Sequence, residues 1–331
     1  MVTGGVQSLG EFELIDRYFA RSTVAAGKRP DVILGVGGDA AVLRLPPNTD
    51  LVAAVDTLVA GRHFPVDSDP RSIGHRALAV NLSDMAAMGA TPAWATLALT
   101  MPCADASWLE GFSAGLMQLA DAHEVALVGG DTTAGPLTIS IQILGYVERD
   151  SALQRSGAQA GDILAVTGTL GDAGAGLALL TARLAACDRA VADELIQRFE
   201  YPAPRVSFGW RARGIASAAM DLSDGLVGDL PKLCAASGVA AHVDVARLPL
   251  SSALRALVPA SEARELALAA GDDYELLVAV PPRRLDDLAA VARQLNLTLT
   301  PIGELRRGNG VTWGFEGRPY AALGHGYDHF R

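Results

Sequence analysis

Apolar and polar residues alternate over residues 137–147, with Leu137, Ile139, Ile141 and Ile143 on every second place. That period belongs to a half-buried antiparallel strand. Other segments follow the helical period instead. Residues 11–21 put Phe12, Ile15 and Phe19 on one helical face,. Residues 31–36 and 51–56 read as strands that deliver Asp39 and Asp56 at or just beyond their C-terminal ends. Pro70 suits the first position of a helix and Gly89 its stop, so a helix is expected from Pro70 to about Met88,. It would carry Asn81 and Asp84 on one face at i, i+3. A strand is expected at 94–101 and an amphipathic helix at 107–123. A strand at 125–129 would run into Gly130-Asp131-Thr132-Thr133.

Residues 148–161 are polar and contain two glycines, which places a domain boundary there and divides the chain into 1–150 and 151–331. The second half opens with a strand at 162–167, a glycine-rich turn from Gly168 to Gly176 and a helix from Leu177 to about Ala185. A strand ending at Asp221 precedes a helix from Leu226 to Ala236, and further strands are expected at 274–280 and 297–302.

Aspartates recur where these apolar runs turn: Gly38-Asp39, Val55-Asp56, Ser83-Asp84, Gly130-Asp131 and Asp221-Leu222-Ser223-Asp224. Leu-Ser-Asp occurs in each half. Such residues either cap turns and helices or form an oxygen cage for a hard cation such as Mg²⁺. Half-buried like charges repel unless a cation lies among them. Ser223 stands where it could donate to a phosphate at a helix N-terminus. The turn 168–176 offers either free N–H groups for an anion or close helix packing. It is not a P-loop, and none occurs elsewhere in the chain,. Arg155 reads either as a phosphate clamp or as a solvated linker residue, and His63 as a ligand-orienting or a packed histidine. The acidic turn 271–275 reads as serving something other than packing. Tyr327 is an aromatic near the C-terminus that could cover a ring.

Composition narrows the picture. The chain has 331 residues, half of them hydrophobic, with a net charge of −10. That length favours two domains, and the acidic balance argues against a nucleic-acid partner. No apolar run is long enough to span a membrane, and no signal peptide is apparent at the N-terminus. Cys103, Cys187 and Cys234 are scattered and read as reduced core thiols of a cytoplasmic protein,.

Five segments in order carry a family resemblance: 56–64 (DTLVAGRHF), 79–90 (AVNLSDMAAMGA), 129–133 (GGDTT), 221–225 (DLSDG) and 273–276 (DYEL). Together they resemble the thiamine-monophosphate kinase family of the aminoimidazole ribonucleotide synthetase superfamily, over almost the whole chain. The resemblance implies a two-domain α/β (α+β) fold whose N-terminal mixed sheet pairs across a homodimer. The first domain would bind Mg-ATP, and the second would complete the ATP and substrate site. It implies ATP-dependent phosphorylation of thiamine phosphate to thiamine diphosphate, assisted by several Mg²⁺ ions. Asp39, Asp56, Asp84, Asp131, Asp221 and Asp224 would be metal ligands, with Ala54 and Val55 offering only carbonyls where the family commonly has hydroxyls. Gly130, Asp131, Arg155 and Ser223 would contact ATP, and His63, Asp272 and Tyr327 the substrate. No residue is implied as a general base. Gly38 replaces a usual acid before Asp39, and Asp272 replaces a usual Glu. A non-catalytic Mg-nucleotide-binding module and a sister purine-pathway synthetase are the alternative readings.

Overall fold

The structure, a computed structural model, describes residues 11–19, 29–185 and 188–326. The chain divides into two compact units, Met1–Asn81 with Pro92–Tyr146, and Leu82–Thr91 with Val147–Arg331.

The first unit contains α1 (Glu11–Tyr18), β1 (Val32–Leu34), β2 (Val42–Leu43), β3 (Thr49–Val59), most of α2 (Pro70–Ala87), β4 (Thr91–Met101), α3 (Ala106–Ala122), β5 (Ala126–Ala134) and β6 (Thr138–Glu148). Its four-stranded sheet runs β3-β6-β4-β5, with β4 and β5 parallel. β6 keeps the expected period, burying Ile139, Ile141 and Ile143. α2 begins at Pro70 as expected, and Gly89 follows it in the left-handed region (φ 64°). Asp105 caps α3 by accepting from the Trp108 N–H at 2.9 Å.

Two strands outrun their sequence signals. β3 continues past Asp56 because Leu58 maintains the alternation and is buried, so Asp56 lies within the strand rather than at its end. β5 continues through Gly130 and Asp131, with a register shift against β4 between Ala95 and Thr96. At Gly130 a Cβ would meet the Leu97 carbonyl oxygen at 1.9 Å, so the close strand approach requires glycine,.

The second unit contains β7 (Ile163–Thr167), α4 (Asp172–Leu180), α5 (Arg189–Glu200), α6 (Val206–Ala212), β8 (Ala218–Asp221), α7 (Leu226–Ser237), β9 (Ala240–Asp244), α8 (Ser252–Leu257), α9 (Ala260–Ala269), β10 (Leu276–Val280), α10 (Leu285–Gln294), β11 (Leu299–Arg306), β12 (Gly310–Phe315) and β13 (Arg318–Pro319). Its seven-stranded sheet is ordered β13-β12-β9-β11-β7-β10-β8 and is mixed, with β12 parallel to β9 and β10 antiparallel to both neighbours. Every residue of β10 is buried, as in a strand covered on both faces,. Leu164, Val166, Met220, Leu230, Leu277 and Ile302 share one core. Each fully buried aliphatic side chain there contributes about 1.5–3 kcal/mol.

α4 starts five residues earlier than its apolar pattern suggests, so the glycine-rich run forms its first turns. A Cβ on Gly174 would lie 2.2 Å from the Ala270 Cβ, and one on Gly176 would lie 2.2 Å from the Leu195 carbonyl oxygen. Close packing explains these glycines. Cys234 is a buried thiol as expected, but Cys103 is exposed, and Cys187 lies outside the described residues.

Candidate active site

In the second unit the first Leu-Ser-Asp tripeptide meets Asp221, the residue just before the second. Ser83, fully buried near the end of α2, donates its hydroxyl to Asp221 Oδ2 at 2.8 Å. Asp221 ends β8, opposite Leu276 of β10, and is 6% exposed. Asp84, next to Ser83, is half-buried in the same unit.

The segment after Asp221 is laced to the acidic turn. The Leu222 N–H donates to the Glu275 carbonyl, the Tyr274 N–H to the Leu222 carbonyl, and the Asp272 N–H to the Ser223 carbonyl at 2.9 Å. Ser223 and Asp272, expected on ATP and substrate, are thus neighbours. Asp272 and Tyr274 both take positive φ (64° and 49°), a conformation that side-chain-bearing residues adopt only when their surroundings enforce it,. The Arg155 side chain is exposed, while its carbonyl accepts from the Ser237 hydroxyl. Asp224 lies beside Gly228, and Gly326 packs onto Gly228 closely enough that a Cβ on Gly326 would stand 2.4 Å from the Gly228 Cα. Tyr327, the next residue, lies outside the described residues.

The acidic turn does serve the interior, contrary to its sequence reading. Asp273 is buried and accepts from the Gly171 N–H at 2.7 Å and the Ala173 N–H at 3.3 Å. Glu275 accepts from Thr167 Oγ1, Arg198 and Arg205. The glycine turn is also already engaged. The Gly168 N–H donates to Thr298 and the Leu170 N–H to Pro249. Gly168 sits at φ 60°, where a Cβ would meet Glu275 Oε1 at 2.0 Å. The start of α4 therefore receives the chain's own Asp273 carboxyl group. Sequence gave the charges of Asp273 and Glu275, but not their partners dozens of residues away.

Burial pushes the Asp273 carboxyl up to about 8, against the two N–H donors that favour its anion. A folded-state value above the unfolded one means that the folded protein holds a proton the unfolded chain releases. Stability from this group is therefore full below about pH 4 and falls as pH rises towards 8. Asp273→Asn removes this titration. In urea unfolding, the wild type's advantage over the variant is expected to shrink between pH 5 and pH 8. An advantage constant across that interval would contradict the protonated assignment.

In the first unit, Asn81 is fully buried and links α2 to β3. Its Nδ2 donates to the Ala77 carbonyl at 3.0 Å, and its Oδ1 accepts from the Asp56 N–H at 3.2 Å. Burial raises the pKa of the Asp56 carboxyl. Ala54 is half-buried and Val55 exposed on the same strand. Asp131 is exposed on β5 and accepts from its neighbour's Thr132 N–H at 2.9 Å. Gly130 precedes it, and Asp39 is exposed. His63 is half-buried, and its Nδ1 accepts from the Val59 N–H at 2.9 Å. A backbone N–H can only donate, so His63 is neutral and carries its proton on Nε2.

Among the described residues, no three His, Cys, Asp or Glu side chains are gathered to hold a metal ion. The donor chemistry nonetheless fits a hard divalent cation. The candidate side-chain ligands are carboxylates, Asp56 is desolvated, and Asp221 is buried,. A cavity of about 680 Å³ beside His242, Thr312 and Arg318 contains none of these candidate residues.

The two units together define a protein of the AIR synthase related class. Residues 37–147 match the AIR synthase related protein N-terminal domain, and residues 159–314 match its C-terminal domain. The thiamine-monophosphate kinase of Salmonella typhimurium strain LT2 is 47% identical over 322 residues, covering 97% of this chain and 98% of the relative. The crystal structure of thiamine-monophosphate kinase from Stenotrophomonas maltophilia K279a superposes with a TM-score of 0.85 at 47% identity, covering 94% of this chain and 98% of that one. A structure of AaThiL complexed with AMPPCP and TMP has a TM-score of 0.77 at 32% identity, covering 97% of both chains. The chain belongs to the thiamine-monophosphate kinase family.

Proposed function

We propose that this enzyme transfers the γ-phosphoryl group of ATP directly to the phosphate of thiamine phosphate, giving thiamine diphosphate. The observation that carries the reading is the 47% identity to the Salmonella kinase over nearly the full length of both chains. The AaThiL complex with an ATP analogue and TMP indicates what such a fold accommodates.

The acceptor oxygen needs no general base. A phosphate monoester has its second pKa near ~6 and is mostly dianionic at neutral pH. The obstacle is bringing two anions together: unit charges ~4 Å apart repel by roughly 4 kcal/mol at an effective dielectric near 20. Mg²⁺ would supply the countercharge and orient the phosphate oxygens for in-line displacement. The chain's part is to hold and orient. Asp39, Asp56, Asp84, Asp131, Asp221 and Asp224 are the proposed ligands, with the carbonyls of Ala54 and Val55 as weaker donors. Gly130, Asp131, Arg155 and Ser223 would position ATP. His63, Asp272 and Tyr327 would position thiamine phosphate, with His63 offering its Nε2–H.

A homodimer formed through the first unit is part of the proposal. β3 is an edge strand of its sheet, 11 residues long, and exposes Leu51 and Val55. A long apolar edge is a ready pairing surface. No helix of the described residues is long and apolar enough to cross a membrane, and a cytoplasmic location is proposed with the activity. The deciding assay follows ADP release with and without thiamine phosphate, titrated first with Mg²⁺ and then with EDTA. Turnover should require both thiamine phosphate and the cation. Stoichiometric nucleotide binding without turnover would overturn the reading.

A further inference from the structure

Lys232, on α7, joins two carboxylates. Its Nζ lies 2.6 Å from Asp224 Oδ2 and 2.9 Å from Asp229 Oδ1. The two acids differ in setting. The Asp229 side chain is 1% exposed, and its Oδ2 accepts from the Asp224 N–H at 2.9 Å, which fixes the turn into α7. The Asp224 side chain is 29% exposed, and that of Lys232 is 43% exposed. The ammonium therefore stands between an anchored, buried carboxylate and one open to solvent, on a flexible stem that can swing.

We infer that Lys232 is a built-in countercation for Asp224, occupying that carboxylate until a divalent ion displaces it. The inference rests on the reading of Asp224 as a metal ligand. Without a cation, Asp224 and Asp229 would repel each other at the start of α7. Lys232 offsets this in the metal-free chain. When an ion takes Asp224, Lys232 gives up its 2.6 Å contact and retains the contact with Asp229. The ion then meets a nearby positive charge. Lys232 therefore weakens divalent binding while stabilising the metal-free fold. It acts through Asp224 and is a positioning residue.

The test uses the full chain without nucleotide, titrated with Mn²⁺ alone and read by calorimetry and by thermal midpoint. Lys232→Met is expected to bind Mn²⁺ about tenfold more tightly than wild type while melting lower in the absence of metal. Lys232→Arg should restore the wild-type affinity, and Lys232→Gln replaces the Met variant if that one does not fold. A purely structural lysine would lower the midpoint without tightening Mn²⁺ binding. Asp224→Asn separates the two ideas. If Asp224→Asn weakens Mn²⁺ binding but Lys232→Met leaves it unchanged, the countercation role is overturned and the ligand reading stands. If Asp224→Asn leaves the affinity unchanged, the ligand reading fails and the countercation role fails with it.

Discussion

Asp221→Asn is expected to lower turnover of thiamine phosphate about a hundred- to a thousandfold, with little loss of stability. The scale is that of removing one preorganised electrostatic group from a charged transition state, roughly 2.7–4 kcal/mol. The fold should tolerate the change. Asn has nearly the same shape, and its side-chain oxygen can accept the Ser83 hydroxyl that now donates to Asp221 at 2.8 Å. Losing a buried charge also relieves desolvation. Ser83→Ala probes position rather than charge. It leaves the Asp221 carboxylate, 6% exposed, without that hydroxyl donor, at about 1–3 kcal/mol,. A smaller activity loss is expected, of about tenfold, with more Mg²⁺ needed for half-maximal rate. Both variants are read by initial rates over a Mg²⁺ series and by thermal midpoint. Wild-type turnover in Asp221→Asn would remove Asp221 from the site. An unchanged Mg²⁺ requirement in Ser83→Ala would deny the hydroxyl its aligning role.

The parts of the fold visible in sequence were those with local punctuation. α2 is bracketed by Pro70 and by Gly89, and β6 carries an uninterrupted period of two. β10 is five apolar residues without a period, so no alternation marks which face it buries. β9 and β12 are five and six residues long, and β9 finds its places against β11 and β12 far along the chain. No local rule reveals such partners. The candidate site shows the same limit. Motif order makes Asp221 and Ser223 candidates, but nothing in the sequence says that Ser83 reaches across 138 positions to Asp221. Nor does it say that Asp224 is claimed by a lysine two helical turns along, at Lys232. Acidity in 271–275 suggested chemistry, whereas Asp273 and Glu275 are satisfied internally by groups supplied from α4, α5 and β7 and by Arg205.

The largest stability loss is expected at that internal network. Glu275→Gln should destabilise the protein by about 3–5 kcal/mol, the usual effect of breaking a buried ion pair from one side. Glu275 is 1% exposed. Its Oε2 accepts from Arg205 Nε at 2.7 Å and from Thr167 Oγ1 at 2.7 Å, and its Oε1 accepts from Arg198 Nη2 at 2.9 Å. Arg205 bonds both carboxylate oxygens, the forked arrangement that gives charge-assisted bonds their strength and direction,. The variant keeps the shape but leaves two partly buried guanidinium groups facing an amide. Arg198 retains the more distant Asp172, at 3.8 Å. Burial tends to raise the Glu275 pKa, but the arginines and Thr167 outweigh it and hold the carboxyl below its ordinary 4.5. A depressed folded value contributes stability above the unfolded pKa and loses it as pH falls through the folded one. The gap between wild type and Glu275→Gln in urea unfolding should thus be full at pH 7 and narrow below about pH 4.5. The double variant Glu275→Gln/Arg205→Met is expected to lose less than the sum of the singles, because each change removes the partner the other would strand. Strict additivity, or a gap that does not close on acidification, would show that this carboxylate is not held by its arginines.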